Sequence, residues 1–139
     1  MRKKSNKIIL EFISDLKFTE FCVLVANYIK NMTNIQEDEF FKIEISLREV
    51  LNNAIIHGNK TDKSKRIMVT FWWTSTRFYM SIKDENPEKI DFEEINKKLL
   101  SNDILSYNGR GILIMKSYMD KVEFHSSRRG TEVILEKRL

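Results

Sequence analysis

The sequence predicts a single α/β domain: a two-layer sandwich in which helices cover one face of a mixed, mostly antiparallel sheet. Apolar residues alternate along several short runs and recur at helical spacing along longer ones. The strand-like runs follow one another through short polar turns, which favours antiparallel pairing over a doubly wound parallel sheet. Because the chain has 139 residues, one proline and four glycines, we expect one domain over residues 1–139.

The predicted elements occur in the order β, α, α, β, β, short α, α, β, β. Their approximate ranges are 8–13, 17–31, 34–58, 66–72, 77–83, 92–100, 112–119, 121–125 and 131–137. Asn34 and Glu37 have capping-box spacing at the start of the second helix, and Gly58 suits its C-terminal end. A short polar turn at 74–76 between two alternating runs predicts a hairpin.

Composition excludes several classes of function. The net charge of +4 is mild and mixed along the chain, so no direct nucleic-acid binding is predicted. The single cysteine, Cys22, lies in an apolar run and is expected to be a buried small hydrophobe. No apolar stretch reaches the roughly 18 residues that a membrane-spanning helix needs, and no signal-peptide pattern is present. We therefore expect a cytoplasmic protein with no membrane partner.

The second helix carries three polar side chains at a spacing of four residues. Glu49, Asn53 and His57 share one stripe of this helix. A carboxylate beside a nucleotide γ-phosphate can accept a proton from an attacking hydroxyl, and an amide oxygen can bind Mg²⁺. An isolated pattern of this kind is more often the solvent face of an amphipathic helix, so its weight depends on the rest of the chain.

Three downstream motifs add to this stripe. Asp84 ends an alternating strand, where its carboxylate can accept a hydrogen bond from an adenine amino group. The Asn108–Gly111 segment opens a helix, where glycines allow close backbone approach and free N–H groups attract phosphate. Gly130 and Thr131 begin the last strand. Each motif is weak alone, and their order along the chain is much more specific.

In this order the motifs resemble those of the GHKL ATPase superfamily, and most closely its small anti-sigma factors that are serine-protein kinases. The resemblance covers nearly the whole chain. The asparagine box and the loop after it correspond to 48–60, Asp62 and Lys65. The second glycine box and the strand after it correspond to 109–112, Met115 and 119–122.

The resemblance implies an ATP site between the helix of Glu49 and the Gly109–Gly111 loop. Glu49 would activate a serine hydroxyl on a partner, and Asn53 would hold Mg²⁺. Asp84 would bind the adenine, with Thr131 supporting it through a water molecule.

The resemblance leaves other residues with open roles. The backbones of Gly109 and Gly111 would wrap the phosphates. Arg110 would contact a phosphate or remain exposed. His57 would line the nucleotide site near the phosphates or pack at the helix end.

One stretch departs from the family pattern. Asn86 and Glu88 stand where the family's first glycine box has glycines. Asparagine tolerates a left-handed backbone better than most residues, so Asn86 can keep the turn. Glu88 adds a negative charge that would repel a triphosphate unless it points away or is screened.

The function implied is an ATP- and Mg²⁺-dependent serine-protein kinase acting as an anti-sigma factor in a partner-switching system. It would bind a sigma factor or related regulator and phosphorylate a serine on an antagonist protein. Homodimers are common in this family, and the sequence leaves that state open. The alternative is a non-catalytic binding module with weakened or lost ATP binding. A detached histidine-kinase ATPase domain ranks lowest, because the chain carries no phosphoacceptor helix.

Overall fold

A computed structural model describes residues 6–87 and 107–139, apart from the side chains of 107–110. The predicted short helix at 92–100 and the departure at Glu88 lie outside the described residues.

Five strands form one sheet in the order β1-β2-β3-β5-β4. All four pairings are antiparallel, which confirms the predicted preference for antiparallel strands. The strands are β1 (Asn6–Ile13), β2 (Arg66–Trp73), β3 (Arg77–Lys83), β4 (Lys121–Ser127) and β5 (Gly130–Arg138).

The helical elements cover one face of this sheet. They are a 3₁₀ turn (Leu16–Phe18), α1 (Thr19–Met32), α2 (Glu37–Asn52), a π-helical segment (Asn53–Gly58) that continues α2, and α3 (Tyr107–Tyr118). Alternate strand residues such as Ile67, Val69 and Phe71 are fully buried beneath the helices. Met68, between them in β2, is 38% exposed and lies on the opposite, open face of the sheet.

The two tryptophans at the end of β2 have different neighbours, and Cys22 in α1 is buried as predicted. Trp72 stacks on Tyr79 with 5.2 Å between ring centroids, while Trp73 packs against the core. Cys22 is fully buried, and this burial raises the pKa of its thiol to about 12. None of the helices in the described ranges is long and apolar enough to cross a membrane.

The N-cap of α2 lies two residues after the predicted one. Its N-cap is Gln36, whose side chain and that of Glu39 form the capping box, instead of the predicted Asn34 and Glu37. The reason is that the preceding residues still complete α1. The Thr33 N–H donates to the carbonyl of Lys30, and the Thr33 hydroxyl donates to the carbonyl of Ile29.

The start of α3 also differs. The sequence predicts the first helical residue at Ile112, after a glycine loop, but the helix begins at Tyr107 and includes both glycines. A glycine inside a helix costs only about 1 kcal/mol relative to alanine, so the segment can be helical if packing favours it. The packing of Gly111, described next, supplies that reason.

Candidate nucleotide-binding site

Gly111 brings the start of α3 against the end of α2. A Cβ atom at this position would lie 2.9 Å from Glu49 Oε2 and 3.3 Å from Asn53 Nδ2. The helix can approach these two side chains because glycine has no side chain of its own. The fold therefore brings together Glu49, Asn53 and the second glycine of the pair, which the sequence separates by about 60 residues.

One buried polar atom of Asn53, Oδ1, has no hydrogen-bond partner among the described residues. An unsatisfied buried acceptor costs about 1–3 kcal/mol, so it calls for a ligand. An amide oxygen is a suitable donor for Mg²⁺, which typically takes one or two protein ligands and completes its shell with phosphates and water.

A metal cage made of protein alone is not found in the described ranges. No group of three or more His, Cys, Asp or Glu side chains there is placed to hold a metal ion. An Mg²⁺ ion bound through Asn53 would complete its shell with phosphate oxygens and water, as this ion usually does.

The helix of Glu49 changes character immediately after this residue pair. From Asn53 to Gly58 the helix is of the π type, and the N–H of Asn59 donates to the carbonyl of Ala54, five residues earlier, at 2.8 Å. Such wide turns are rare and occur often at functional sites. His57 lies in this segment with an exposed side chain.

Asp84 follows the last residue of β3 and is almost fully buried, with 6% of its surface exposed. Its Oδ1 accepts hydrogen bonds from the N–H of Asn86 at 2.9 Å and of Thr131 at 3.0 Å. Burial raises the pKa of Asp84, and these two N–H donors together with the charge of Lys65 partly offset that effect. The arrangement leaves Asp84 Oδ2 on the side of Gly58.

Two glycines make room for Asp84. A Cβ on Gly58 would lie 2.3 Å from Asp84 Oδ2. A Cβ on Gly130, whose φ is +135°, would lie 1.9 Å from the Asp84 carbonyl oxygen. Neither position can hold a side chain without displacing Asp84. The predicted role of Gly58 as a helix end is thus accompanied by a packing role that the sequence alone does not indicate.

Asn59 is a buried connector that the sequence reasoning missed. It is 1% exposed, and its Nδ2 donates to Ser14 Oγ at 2.7 Å and to the carbonyl of Arg66 at 3.0 Å. Its Oδ1 accepts the N–H of Glu85 at 2.8 Å. The side chain therefore joins the end of β1, the start of β2 and the Asp84 turn. The only sequence signal is a polar residue directly after Gly58.

Of the remaining predicted site residues, Thr131 and Asn86 have defined contacts, while Gly109 and Arg110 have only a position in α3. Thr131 is buried and contacts Asp84 directly through its backbone, while its hydroxyl lies 3.4 Å from that of Ser126. Asn86 keeps the turn through its N–H bond to Asp84, and not through the left-handed backbone that we predicted. Gly109 lies in the first turn of α3, and the Arg110 side chain is outside the described part.

Comparison with known proteins identifies a family for this chain. The family described as "Histidine kinase-like ATPase domain" matches residues 18–137. Proteins named "Anti-sigma F factor" are similar over nearly their whole length. That of Bacillus subtilis (strain 168) is 31% identical over 137 residues, covering 96% of this chain and 93% of the relative. That of Clostridium perfringens (strain 13 / Type A) is 28% identical, covering 96% and 97%. The chain therefore belongs to the histidine kinase-like ATPase domain family.

Proposed function

We propose that this protein is an ATP- and Mg²⁺-dependent serine-protein kinase that acts as an anti-sigma factor in a partner-switching system. Membership of an ATPase domain family implies that it binds ATP, and the relatives' name, anti-sigma F factor, supports a sigma factor and an antagonist protein as partners. The observation that carries the proposal is the contact of Gly111 with Glu49 and Asn53, beside a buried Asp84.

The adenine end of the site is assigned to Asp84. Its Oδ1 is engaged by the N–H groups of Asn86 and Thr131, and these bonds fix the carboxylate plane. Asp84 Oδ2, held beside Gly58, is then the oxygen that accepts a hydrogen bond from the exocyclic amino group of adenine. Charge on the carboxylate strengthens such a bond, since charge-assisted hydrogen bonds are about twice as strong as neutral ones.

The phosphate end is assigned to the start of α3 and the end of α2. The first four N–H groups of a helix have no partners within the helix and attract anions. In α3 these groups belong to residues 107–110, which include Gly109. Asn53 Oδ1 would be the protein ligand for Mg²⁺. When this ion is bound, it would neutralise part of the phosphate charge.

Glu49 is assigned as the general base. As the serine oxygen of the partner bonds to the γ-phosphorus of ATP, the bond to the ADP oxygen breaks, and Glu49 takes the hydroxyl proton. The products are phosphoserine and ADP. Transfer of this kind depends mainly on positioning and charge stabilisation, so a base held by packing against Gly111 is suited to it.

The direct test combines ATP binding with phosphate transfer. Calorimetry with Mg-ATP is expected to show binding, and labelled ATP is expected to transfer phosphate to a serine of a cognate antagonist. Glu49→Gln should keep ATP binding and abolish transfer. Glu44→Gln is the matched control, because Glu44 lies on the same helix but pairs with Arg48. Absence of binding at millimolar nucleotide would refute the kinase proposal.

The non-catalytic binding module is not favoured. The stretch that suggested it begins at Asp84, and its described part keeps both hydrogen bonds to the carboxylate. Chains named anti-sigma F factor also match almost end to end.

The assignment of Asn53 has its own test. Asn53→Ala should weaken ATP binding at least tenfold in the presence of Mg²⁺ and have little effect when EDTA removes the ion. Asn52→Ala, a change of the same size one residue earlier, should leave both affinities close to those of the unchanged protein. Equal losses with and without Mg²⁺ would show that Asn53 acts only through packing.

Self-association as a homodimer is also proposed, on the evidence of α1. Four apolar side chains form a stripe along the side of this helix that faces away from the core. Their exposed fractions are 51% for Phe21, 65% for Leu24, 65% for Tyr28 and 53% for Met32. Exposed apolar stripes of this kind mark interaction surfaces.

Sedimentation equilibrium tests this proposal. The unchanged protein is expected to be a dimer, and Leu24→Glu with Tyr28→Glu is expected to make it a monomer. Ser75→Glu with Thr76→Glu adds the same charge in the exposed turn between β2 and β3, away from α1, and should leave the dimer intact. A monomeric unchanged protein at tens of micromolar would contradict the proposal.

A further inference from the structure

The open face of the sheet carries a groove that borders the nucleotide site at Asp84 and is otherwise lined by residues outside that site. Its volume is about 460 Å³, which lies in the range of ligand-binding clefts. Four basic side chains line it, from the start of β2, the end of β3 and the turn between β4 and β5: Arg66, Lys83, Arg128 and Arg129.

These four basic side chains are not held in ion pairs within the described part of the chain. The acidic side chains beside them are engaged elsewhere: Glu85 Oε2 accepts the backbone N–H of Arg66 at 2.8 Å. Glu132, which stands opposite Lys83 across the β3–β5 pair, accepts the Ser81 hydroxyl at 2.8 Å. Four basic and three acidic side chains line the groove, which leaves it with a small excess of positive charge.

The two arginines are held in place by a tight turn. The N–H of Arg129 donates to Ser127 Oγ at 3.1 Å, and Ser127 and Gly130 are a cross-strand pair. Gly130 is fixed in turn by its close contact with the Asp84 backbone. Both guanidinium groups thus extend from an anchored hairpin end, which lowers the entropy lost when they bind a ligand.

The groove also has features that disfavour a polyphosphate. Glu11 and Glu85 carry negative charge at its lining, and Met68 contributes an apolar surface between them. A nucleic-acid backbone, with a charge at every phosphate, would meet both carboxylates. A peptide that alternates acidic and apolar side chains fits the same lining, because it can place carboxylates at the basic groups and an apolar group on Met68.

We propose that this groove is a docking surface for an acidic segment of a partner protein, bound by Arg66, Lys83, Arg128 and Arg129. The proposal does not depend on the nucleotide site, since none of these four side chains belongs to it. A partner bound here would lie against the back of the Asp84 turn.

The test uses a fluorescein-labelled decapeptide of alternating Glu and Leu, titrated with the full-length protein at low ionic strength. We expect saturable binding that weakens as salt rises, because exposed charges are screened. Arg128→Glu with Arg129→Glu should weaken binding at least tenfold. The control pair, Lys7→Glu with Lys42→Glu, changes the net charge by the same amount away from the groove and should have less than a twofold effect.

Three outcomes would overturn the proposal. These are no binding of the peptide at low salt, an equal loss from both variant pairs, and tighter binding of a single-stranded oligonucleotide than of the peptide. Because the assay contains no ATP, its failure is distinguishable from failure of the kinase proposal.

Discussion

Gly58→Ala is expected to displace Asp84 and so to damage both stability and nucleotide binding. The new Cβ would lie 2.3 Å from Asp84 Oδ2, and real Cβ contacts essentially never fall below 3.0 Å. The carboxylate must therefore move by at least 0.7 Å, the difference between these two distances. Its Oδ1 accepts bonds of 2.9 Å from Asn86 and 3.0 Å from Thr131, and such a shift weakens them.

The magnitude follows from three contributions. Overpacking a well-packed site costs about 1–3 kcal/mol, and weakening hydrogen bonds to a charged group costs up to about 1.5–3 kcal/mol more. Alanine in place of a helical glycine would by itself stabilise the fold by about 0.5–1 kcal/mol. We expect a net loss of about 2–3 kcal/mol in the free energy of unfolding, and ATP affinity reduced more than tenfold.

Urea unfolding and Mg-ATP calorimetry measure these two effects, and a double-mutant cycle identifies their cause. In an Asp84→Ala background the remaining contact is with the Asp84 Cβ at 3.2 Å, which a small shift relieves. Gly58→Ala should then cost at least about 1 kcal/mol less than in the unchanged protein. If Gly58→Ala is neutral or stabilising, and additive with Asp84→Ala, the reasoning from the close contact is refuted.

Three further predictions concern Asp84, Asn59 and Thr61. Because burial raises the pKa of Asp84 above its ordinary value of 3.8, the folded protein binds this proton more tightly than the unfolded chain. The unchanged protein should thus gain stability relative to Asp84→Asn as the pH falls through the raised pKa towards 3.8, and lose this gain as the pH rises. If the urea midpoints of the two proteins differ by the same amount at every pH in this range, the prediction is contradicted. Asn59→Ala should cost about 3 kcal/mol in urea unfolding, because the N–H of Glu85 loses its acceptor; a loss below about 1 kcal/mol would show that water replaces the side chain. Thr61→Gly should raise the free energy of unfolding by about 0.5–1 kcal/mol, because Thr61 has a φ of 58°, which glycine adopts without strain; an unchanged thermal midpoint would argue against strain there.

Local patterns sufficed to predict most of the fold. Alternation placed the strands within a few residues, because one sheet face is buried and the other is open. Helical spacing located α1 and α2, since their buried residues repeat along one side. Two helix boundaries were predicted wrongly. At the start of α2, Thr33 still completes α1, and at the start of α3, the packing of Gly111 favours a helix in spite of its glycines.

The candidate site was predictable only in part. Glu49 and Asn53 lie one helical turn apart, so their proximity follows from helix geometry alone. The three hydrogen bonds of Asn59 have partners at Ser14, Arg66 and Glu85. The fit of Gly58 around Asp84 depends on the end of a distant strand. Contacts of this type exist only after the sheet has formed, and no local pattern encodes them.

The π-helical segment makes the alignment of the site depend on the number of residues between Asn53 and Gly58. The turns of this segment close with bonds to the fifth residue back instead of the fourth, so the segment holds an extra residue compared with a regular helix. Deleting one residue would therefore let α2 continue regularly with Gly58 still facing Asp84, whereas an added residue would turn Gly58 away from it by about 100°. An insertion in this segment should therefore abolish the nucleotide site even where every side chain is kept. The loop at 60–65, which lies at the surface between this segment and β2, should accept an added residue far more readily.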